Sequence, residues 1–216
     1  MLGLWHRTEA PAALWSLLPW PDAYQPRLPA TADANRQAQW LAGRVLLHEL
    51  LRAFPAAGLA EATVQNDATG RPWLAGAPSG TVVSLSHSGA WVAAVLALSG
   101  RAGVDVEMVR DKARRLASKF LAPNEWDDAQ LATRHAPDQA DTHYTLLWSA
   151  KETLYKLAAQ RGIIFKRHLL LSPFVPLATG EINSTLIVNY LNTRHCICYT
   201  QPAPGYVLTY SYEPAA

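Results

Sequence analysis

Cysteine is nearly absent from this 216-residue chain, Cys196 and Cys198 being its two occurrences. If that segment is a strand, both thiols lie on one face. His195 is adjacent, but two further ligands at suitable spacing are missing, so a metal centre is set aside and core thiols in a reducing compartment are expected. Charge of one sign is also scarce. A net charge of +2 gives no reason to expect nucleic acid or a membrane surface as a partner. Long apolar runs are missing too: the longest, Ala90 to Leu98, falls far short of the ~20 residues that a membrane-spanning helix needs. Near the start, Trp5, His6, Arg7, Thr8 and Glu9 interrupt the basic-then-apolar pattern of a secretory signal. A cytoplasmic protein is the expectation.

Half of the residues are apolar and 17% are charged, the balance of a folded globular chain. The length suits one ordinary domain or two small ones sharing an interface. Ala38, Leu41, Ala42, Val45, Leu46 and Leu50 form an apolar stripe at helical spacing, which predicts a long helix from about Asp33 to Phe54, ended by Pro55 and Gly58. Three strand-like runs follow, Thr81 to His87, Ala90 to Leu98 and Ala102 to Glu107, separated by short turns carrying Gly89 and Gly100. Such short turns join antiparallel neighbours, so the three runs are expected to form one meander whose first and third strands finish at the same sheet edge. The second half repeats this order. Helical segments are predicted from about Arg114 to Gln130 and from Thr142 to Gln160, then strands over Ile182 to Leu191, His195 to Gln201 and Tyr206 to Tyr212, with Asn192 in one turn and Pro202, Pro204 and Gly205 in the other. The expected fold is α+β: two similar subdomains, residues 1–101 and 102–216, each a long helix on a three-stranded antiparallel meander, pseudo-twofold related, with the functional cleft between them.

Three clusters carry chemistry. In Gly103, Val104, Asp105, Val106 and Glu107 the two acids alternate with valines and point to one face of a strand. Carboxylates this close repel unless a cation neutralises them, and a hard divalent ion with oxygen ligands would do so. Taken alone, the pair reads equally well as an acidic strand end open to water. Trp148 to Lys156 includes Lys151, Glu152 and Lys156, and by itself its Glu152–Lys156 spacing is an ordinary pair on a helix surface. Ser84 to Gly89 ends a strand in a turn carrying Ser86 and His87, a place where hydroxyl, imidazole and backbone donors can hold a phosphate. A Ser–His nucleophile is disfavoured there, because adjacent strand residues face opposite ways.

Together these clusters resemble the signature of the 4'-phosphopantetheinyl transferase superfamily, in its longer, monomeric and pseudo-duplicated branch. Gly103 to Glu107 and Trp148 to Lys156 match in order and separation, Gly70, Arg71 and Pro72 resemble the family's Gly-basic-Pro turn, and Ser86 to Gly89 is its Ser-His-Ser-Gly turn unaltered. Leu41 to Arg44, Phe120 and Glu125 extend the likeness; Arg71 stands where many relatives have lysine, and Thr153 where alanine or serine is usual. The resemblance implies transfer of 4'-phosphopantetheine from coenzyme A to a serine of an apo acyl or peptidyl carrier protein, by a monomer of the holo-acyl-carrier-protein synthase type. It further implies Mg2+ on Asp105, Glu107 and Glu152; Arg44, Arg71, Ser86, His87 and Lys151 toward coenzyme A; Glu152 as base; and Lys156 beside the leaving group. An acidic carrier helix is expected at Arg110, Lys112, Arg114 and Arg115. The alternatives are a metal-dependent phosphohydrolase using the same acids and an inactive carrier-binding scaffold.

Overall fold

The computed structural model describes residues 1–29, 31–54, 58–59 and 61–215. In chain order these form β1 (Leu2–His6), α1 (Pro11–Leu17), α2 (Pro21–Tyr24), a 3-10 turn (Gln25–Arg27), α3 (Ala34–Ala53), β2 (Thr63–Asn66), β3 (Pro72–Ala75), β4 (Val82–Ser88), β5 (Trp91–Ala97) and β6 (Arg101–Met108). Then come α4 (Asp111–Phe120), α5 (Pro123–His135), a second 3-10 turn (Pro137–Gln139), α6 (Ala140–Ala158), α7 (Phe165–His168), β7 (Leu169–Leu171), β8 (Thr179–Val188), β9 (Leu191–Ala203) and β10 (Tyr206–Glu213). The chain is an α+β protein that divides into two compact units, Met1–Ala102 with Glu213–Ala216, and Gly103–Tyr212. None of its described helices is long and apolar enough to cross a membrane.

In the first unit α3 starts where the side chain of Asp33 accepts a hydrogen bond from the Arg36 backbone N–H at 2.8 Å, satisfying a donor that the first turn leaves open. Its stripe of Ala38, Leu41, Ala42, Val45, Leu46 and Leu50 is buried, packed with Leu14, Tyr24, Val83, Val92 and Leu96. The role expected of Pro55 in ending α3 lies outside the described residues. The sheet order is β1–β5–β4, antiparallel throughout.

That order corrects the meander expected of the first half. The β4–β5 hairpin is present, but β6 does not pair with β5. Leu2 to His6 occupy that edge instead, in register with Val95 to Trp91, and β6 hydrogen-bonds to β10. A short turn permits antiparallel pairing without dictating it; the edge goes to whichever strand packs better. Here β1 carries Gly3, whose missing side chain makes room for Leu46 and Leu50 of α3, atoms that a Cβ would meet at 3.0–3.3 Å.

The second unit is a five-stranded sheet in the order β6–β10–β9–β8–β7. The expected meander of β8, β9 and β10 forms its centre. Its first turn, however, falls at Asn189 and Tyr190, with Val188 paired to Leu191, so Asn192 lies within β9. Both turn residues have positive φ, 49° and 64°, as the twist of a two-residue hairpin requires. Helix α6 lies on one face of this sheet, its Leu146, Leu147, Ala150, Leu154 and Leu157 meeting Ile182, Leu186, Ile197, Tyr199 and Val207. The helical segment expected over 114–130 is two helices, divided at Pro123, which starts α5 because its ring has no N–H to give.

Candidate active site

Gly103 determines how closely β6 approaches α6. A Cβ at this position would lie 2.2 Å from the Thr153 carbonyl oxygen, so only glycine lets strand and helix meet here. The contact is stitched by hydroxyls: the Thr153 and Ser149 Oγ atoms lie 2.7 and 2.9 Å from Thr209 Oγ1 of β10. Thr153, a departure from the family pattern, thereby gains a partner.

With the elements this close, acidic side chains of β6 and α6 face one another. Asp105 is 4% exposed and is held from both sides: Ser149 Oγ donates to its Oδ2 at 2.9 Å and the Lys156 ammonium to its Oδ1 at 2.8 Å. Lys156 donates also to the Val104 carbonyl at 2.8 Å. Trp148 Nε1 donates to Glu107 at 3.2 Å, its ring fixed between Phe120 and Phe165. Glu152 is half-buried, and its carboxyl is pushed up to about 7, first by burial and then by the negative charge of Asp105; Lys156 opposes this and Glu107 adds to it. Three carboxylates therefore share one electrostatic neighbourhood with one ammonium. A carboxyl balanced near neutrality can accept or release a proton at working pH.

Ser149, Glu152 and Lys156 lie at positions i, i+3 and i+7, one face of a helix. Lys151 does not. It projects with Leu147 and Leu154 into the core at 0% exposure, where its Nζ donates to Glu125 Oε2 and to the Leu169 carbonyl, both at 2.6 Å. Burial holds this ammonium below its ordinary value against the pull of Glu125. The phosphate contact expected of Lys151 is thus corrected: its charge is already spent inside the core. Glu125 accepts from the Ala122 and Leu171 N–H groups as well, which makes the Lys151–Glu125 pair a clamp joining α5, α6 and β7.

The remaining expected residues belong to the first unit. Ser86 is buried in β4 and His87 is half-buried at its end. The Arg36 guanidinium of α3 lies 3.1 Å from His87 Nε2. Arg36 escaped the sequence reading, although it lies two turns before Arg44 on the same helix. Arg44 is 4% exposed; its guanidinium lies 3.6 Å from the Trp40 ring centroid and donates to the Trp40 carbonyl at 3.1 Å and Asn66 Oδ1 at 2.5 Å. Asn66 in turn donates to the Gly70 carbonyl at 2.7 Å, while Asp67 accepts from the N–H groups of Thr69 and Arg71. Arg44, expected to assist toward coenzyme A, is a buried brace for the turn that presents half-buried Arg71.

Three carboxylates, Asp105 buried and Glu107 and Glu152 half-buried, beside one ammonium and mounted where a helix packs on an antiparallel sheet, define an acidic site built from oxygen ligands in an α+β protein. Known proteins resemble this chain in sequence. The model of the 4'-phosphopantetheinyl transferase superfamily matches residues 101–210, and that of the 4'-phosphopantetheinyl transferase N-terminal domain matches residues 25–97. The chain is 34% identical over 145 residues to 4'-phosphopantetheinyl transferase AcpT of Salmonella typhimurium, over 66% of each chain. It is 33% identical over 92 residues to a 4'-phosphopantetheinyl transferase of Bacillus subtilis, over 42% of this chain and 38% of that one, and 35% identical over 130 residues to AcpT of Escherichia coli K12, over 59% of each. It therefore spans just under two thirds, or less, of the length of these curated relatives. The chain belongs to the 4'-phosphopantetheinyl transferase superfamily.

Proposed function

We propose that this protein transfers the 4'-phosphopantetheine group of coenzyme A to a serine hydroxyl of an apo acyl or peptidyl carrier protein. The observation that carries this reading is that Glu152 shares its electrostatic surroundings with Asp105, Glu107 and Lys156 and is held near neutrality, with Lys156 bonded to Asp105. The donor set fits a hard divalent cation: it offers carboxylate oxygens, with neither nitrogen nor sulfur, and their mutual repulsion exceeds what one ammonium offsets. Asp105, Glu107 and Glu152 would hold Mg2+, which when bound neutralises pyrophosphate oxygens.

Glu152 accepts the proton of the serine hydroxyl as its oxygen attacks the phosphorus that bears pantetheine. A new P–O bond forms, the bridging P–O bond breaks, and adenosine 3',5'-bisphosphate leaves with the electron pair. Lys156, oriented by Asp105 and the Val104 carbonyl, offers positive charge and a proton toward that leaving oxygen. Arg71 and His87, aided by Ser86, bind the 3'-phosphate and adenosine end, with Arg44 acting through the Arg71 turn. The plan of a long helix on an antiparallel sheet in each unit supports an internal duplication. The free thiols are in keeping with a reducing, cytoplasmic setting and the protein works as a monomer.

The test is the mass of several purified apo carriers after incubation with coenzyme A, Mg2+ and this protein. One 4'-phosphopantetheine gain per carrier is expected, lost in Glu152→Gln and Asp105→Asn variants that keep the native circular dichroism. Phosphate release without an acceptor would instead show a phosphohydrolase, and carrier binding without a mass gain an inactive scaffold.

A further inference from the structure

A second group of ligating side chains lies on the other face of the five-stranded sheet. Along β9, His195, Ile197 and Tyr199 are buried toward α6, so Cys196 and Cys198 point the opposite way. Cys198 is paired with Glu181 of β8 on one side and with Tyr210 of β10 on the other. The ligand atoms of Glu181, Cys196 and Cys198 all lie within 4.8 Å of one another, the only such trio of His, Cys, Asp or Glu among the described residues. Cys196 is exposed and Cys198 half-buried, which overturns the expectation of core thiols. His195 is excluded from the group: it faces the core, its Nε2 2.6 Å from Thr193 Oγ1.

We propose that Glu181, Cys196 and Cys198 bind one zinc ion through two sulfurs and one carboxylate oxygen, with water in the fourth position. Tetrahedral zinc with Zn–S bonds of about 2.3 Å sets its ligands roughly 3.5–3.8 Å apart, so the trio closes on the ion by small side-chain rotations on a rigid sheet. Sulfur favours zinc over the hard cation suited to the carboxylates of the other face. The trio lies on one face of neighbouring strands, with Glu181 and Tyr210 paired to Cys198 from either side. Binding releases both thiol protons to solvent, and Tyr210, the cross-strand neighbour of Cys198, stands where its hydroxyl can support that sulfur. Direct disulfide formation is less favourable, since residues two apart on an extended strand have Cα atoms about 6.6 Å apart, at the long limit for that bond. The bound ion would staple β8 to β9.

The experiment titrates zinc chloride into reduced, metal-free, full-length protein in excess Mg2+, and separately follows the ultraviolet thiolate charge-transfer band with cadmium chloride. One zinc per chain and a clear cadmium–thiolate band are expected. Cys196→Ser and Cys198→Ser should each weaken zinc by more than the roughly 10–100-fold that losing a mere supporting group costs, Glu181→Gln should weaken it less, and Asp105→Asn should leave the band unchanged. Melting curves without metal establish that each variant is folded. Equal zinc affinity in the wild type and the Cys196→Ser/Cys198→Ser double variant, or no cadmium–thiolate band in the wild type, would overturn the proposal. Transfer activity is a separate readout and is expected to be unchanged in Cys196→Ser.

Discussion

Glu152 is a carboxyl that burial and two like charges hold near neutral pH. Its folded-state value lies above the ordinary 4.5, so the native state binds its proton more tightly than the unfolded chain does. The resulting stabilisation is complete below about pH 4.5 and is lost as pH rises through about 7. Metal-free protein should lose up to ~3 kcal/mol of stability across that window, and Glu152→Gln should flatten the profile, as urea unfolding at a series of pH values would show. Activity should fall in the opposite direction, on acidification, because the base must be ionised. Lys151, the preceding residue, behaves otherwise. Lys151→Ala leaves Glu125 buried without its cation, and should cost about 3–5 kcal/mol in the same assay while the KM for coenzyme A of the folded fraction stays near wild type. A large KM effect without loss of stability would restore the phosphate role. The difference was legible in part: Ser149, Glu152 and Lys156 fall on one helical face by spacing alone, and Lys151 falls off it. The glutamate awaiting Lys151 belongs to another helix, and no periodicity announces it.

At the scale of elements, the metal-binding proposal depends on β6 lying against α6 at Gly103. Gly103→Ala forces a methyl group into the Thr153 carbonyl, and an unfolding midpoint should register roughly 1–3 kcal/mol or more of overpacking cost. Because Asp105 and Glu107 move with the strand, transfer should fall further than the folded fraction does; activity that tracks the folded fraction alone would count against this geometry. The sequence identifies α3, α6, β4 to β6 and β8 to β10, each specified by its own alternation, stripe or cap, whereas β1, β2, β3 and β7 carry no such local mark and the break between α4 and α5 is not identified. Asp33 and the apolar stripe delimit α3, and the valines of β6 mark a strand. Pairing was less legible. The edge of β5 is taken by the amino-terminal strand and not by β6, because edge choice is a competition between segments, decided by how each packs on α3.

At the scale of the molecule, the near-neutral net charge conceals an uneven surface. Arg110, Lys112, Arg114 and Arg115 gather at the start of α4, exposed. Arg114 and Arg115 are paired with half-buried Asp141 and exposed Asp111, at 2.8 and 3.2 Å, pairs that water and salt weaken and that an acidic partner can exchange. Arg114→Glu with Arg115→Glu should raise the KM for an acidic carrier about tenfold at low ionic strength, an effect that shrinks in high salt and spares the KM for coenzyme A; equal loss for both substrates would remove docking from this surface. What the sequence by itself determined is local: the elements, the alternation that turns Asp105 and Glu107 the same way, and the helical face of Glu152 and Lys156. These follow from the periods of strand and helix, which each segment carries within itself. Only the tertiary structure decided which strand completes each sheet, that Lys151 and Arg44 are spent as internal braces, and that Glu181 stands beside the two cysteines, because burial and strand register bring together residues between which no local pattern holds information.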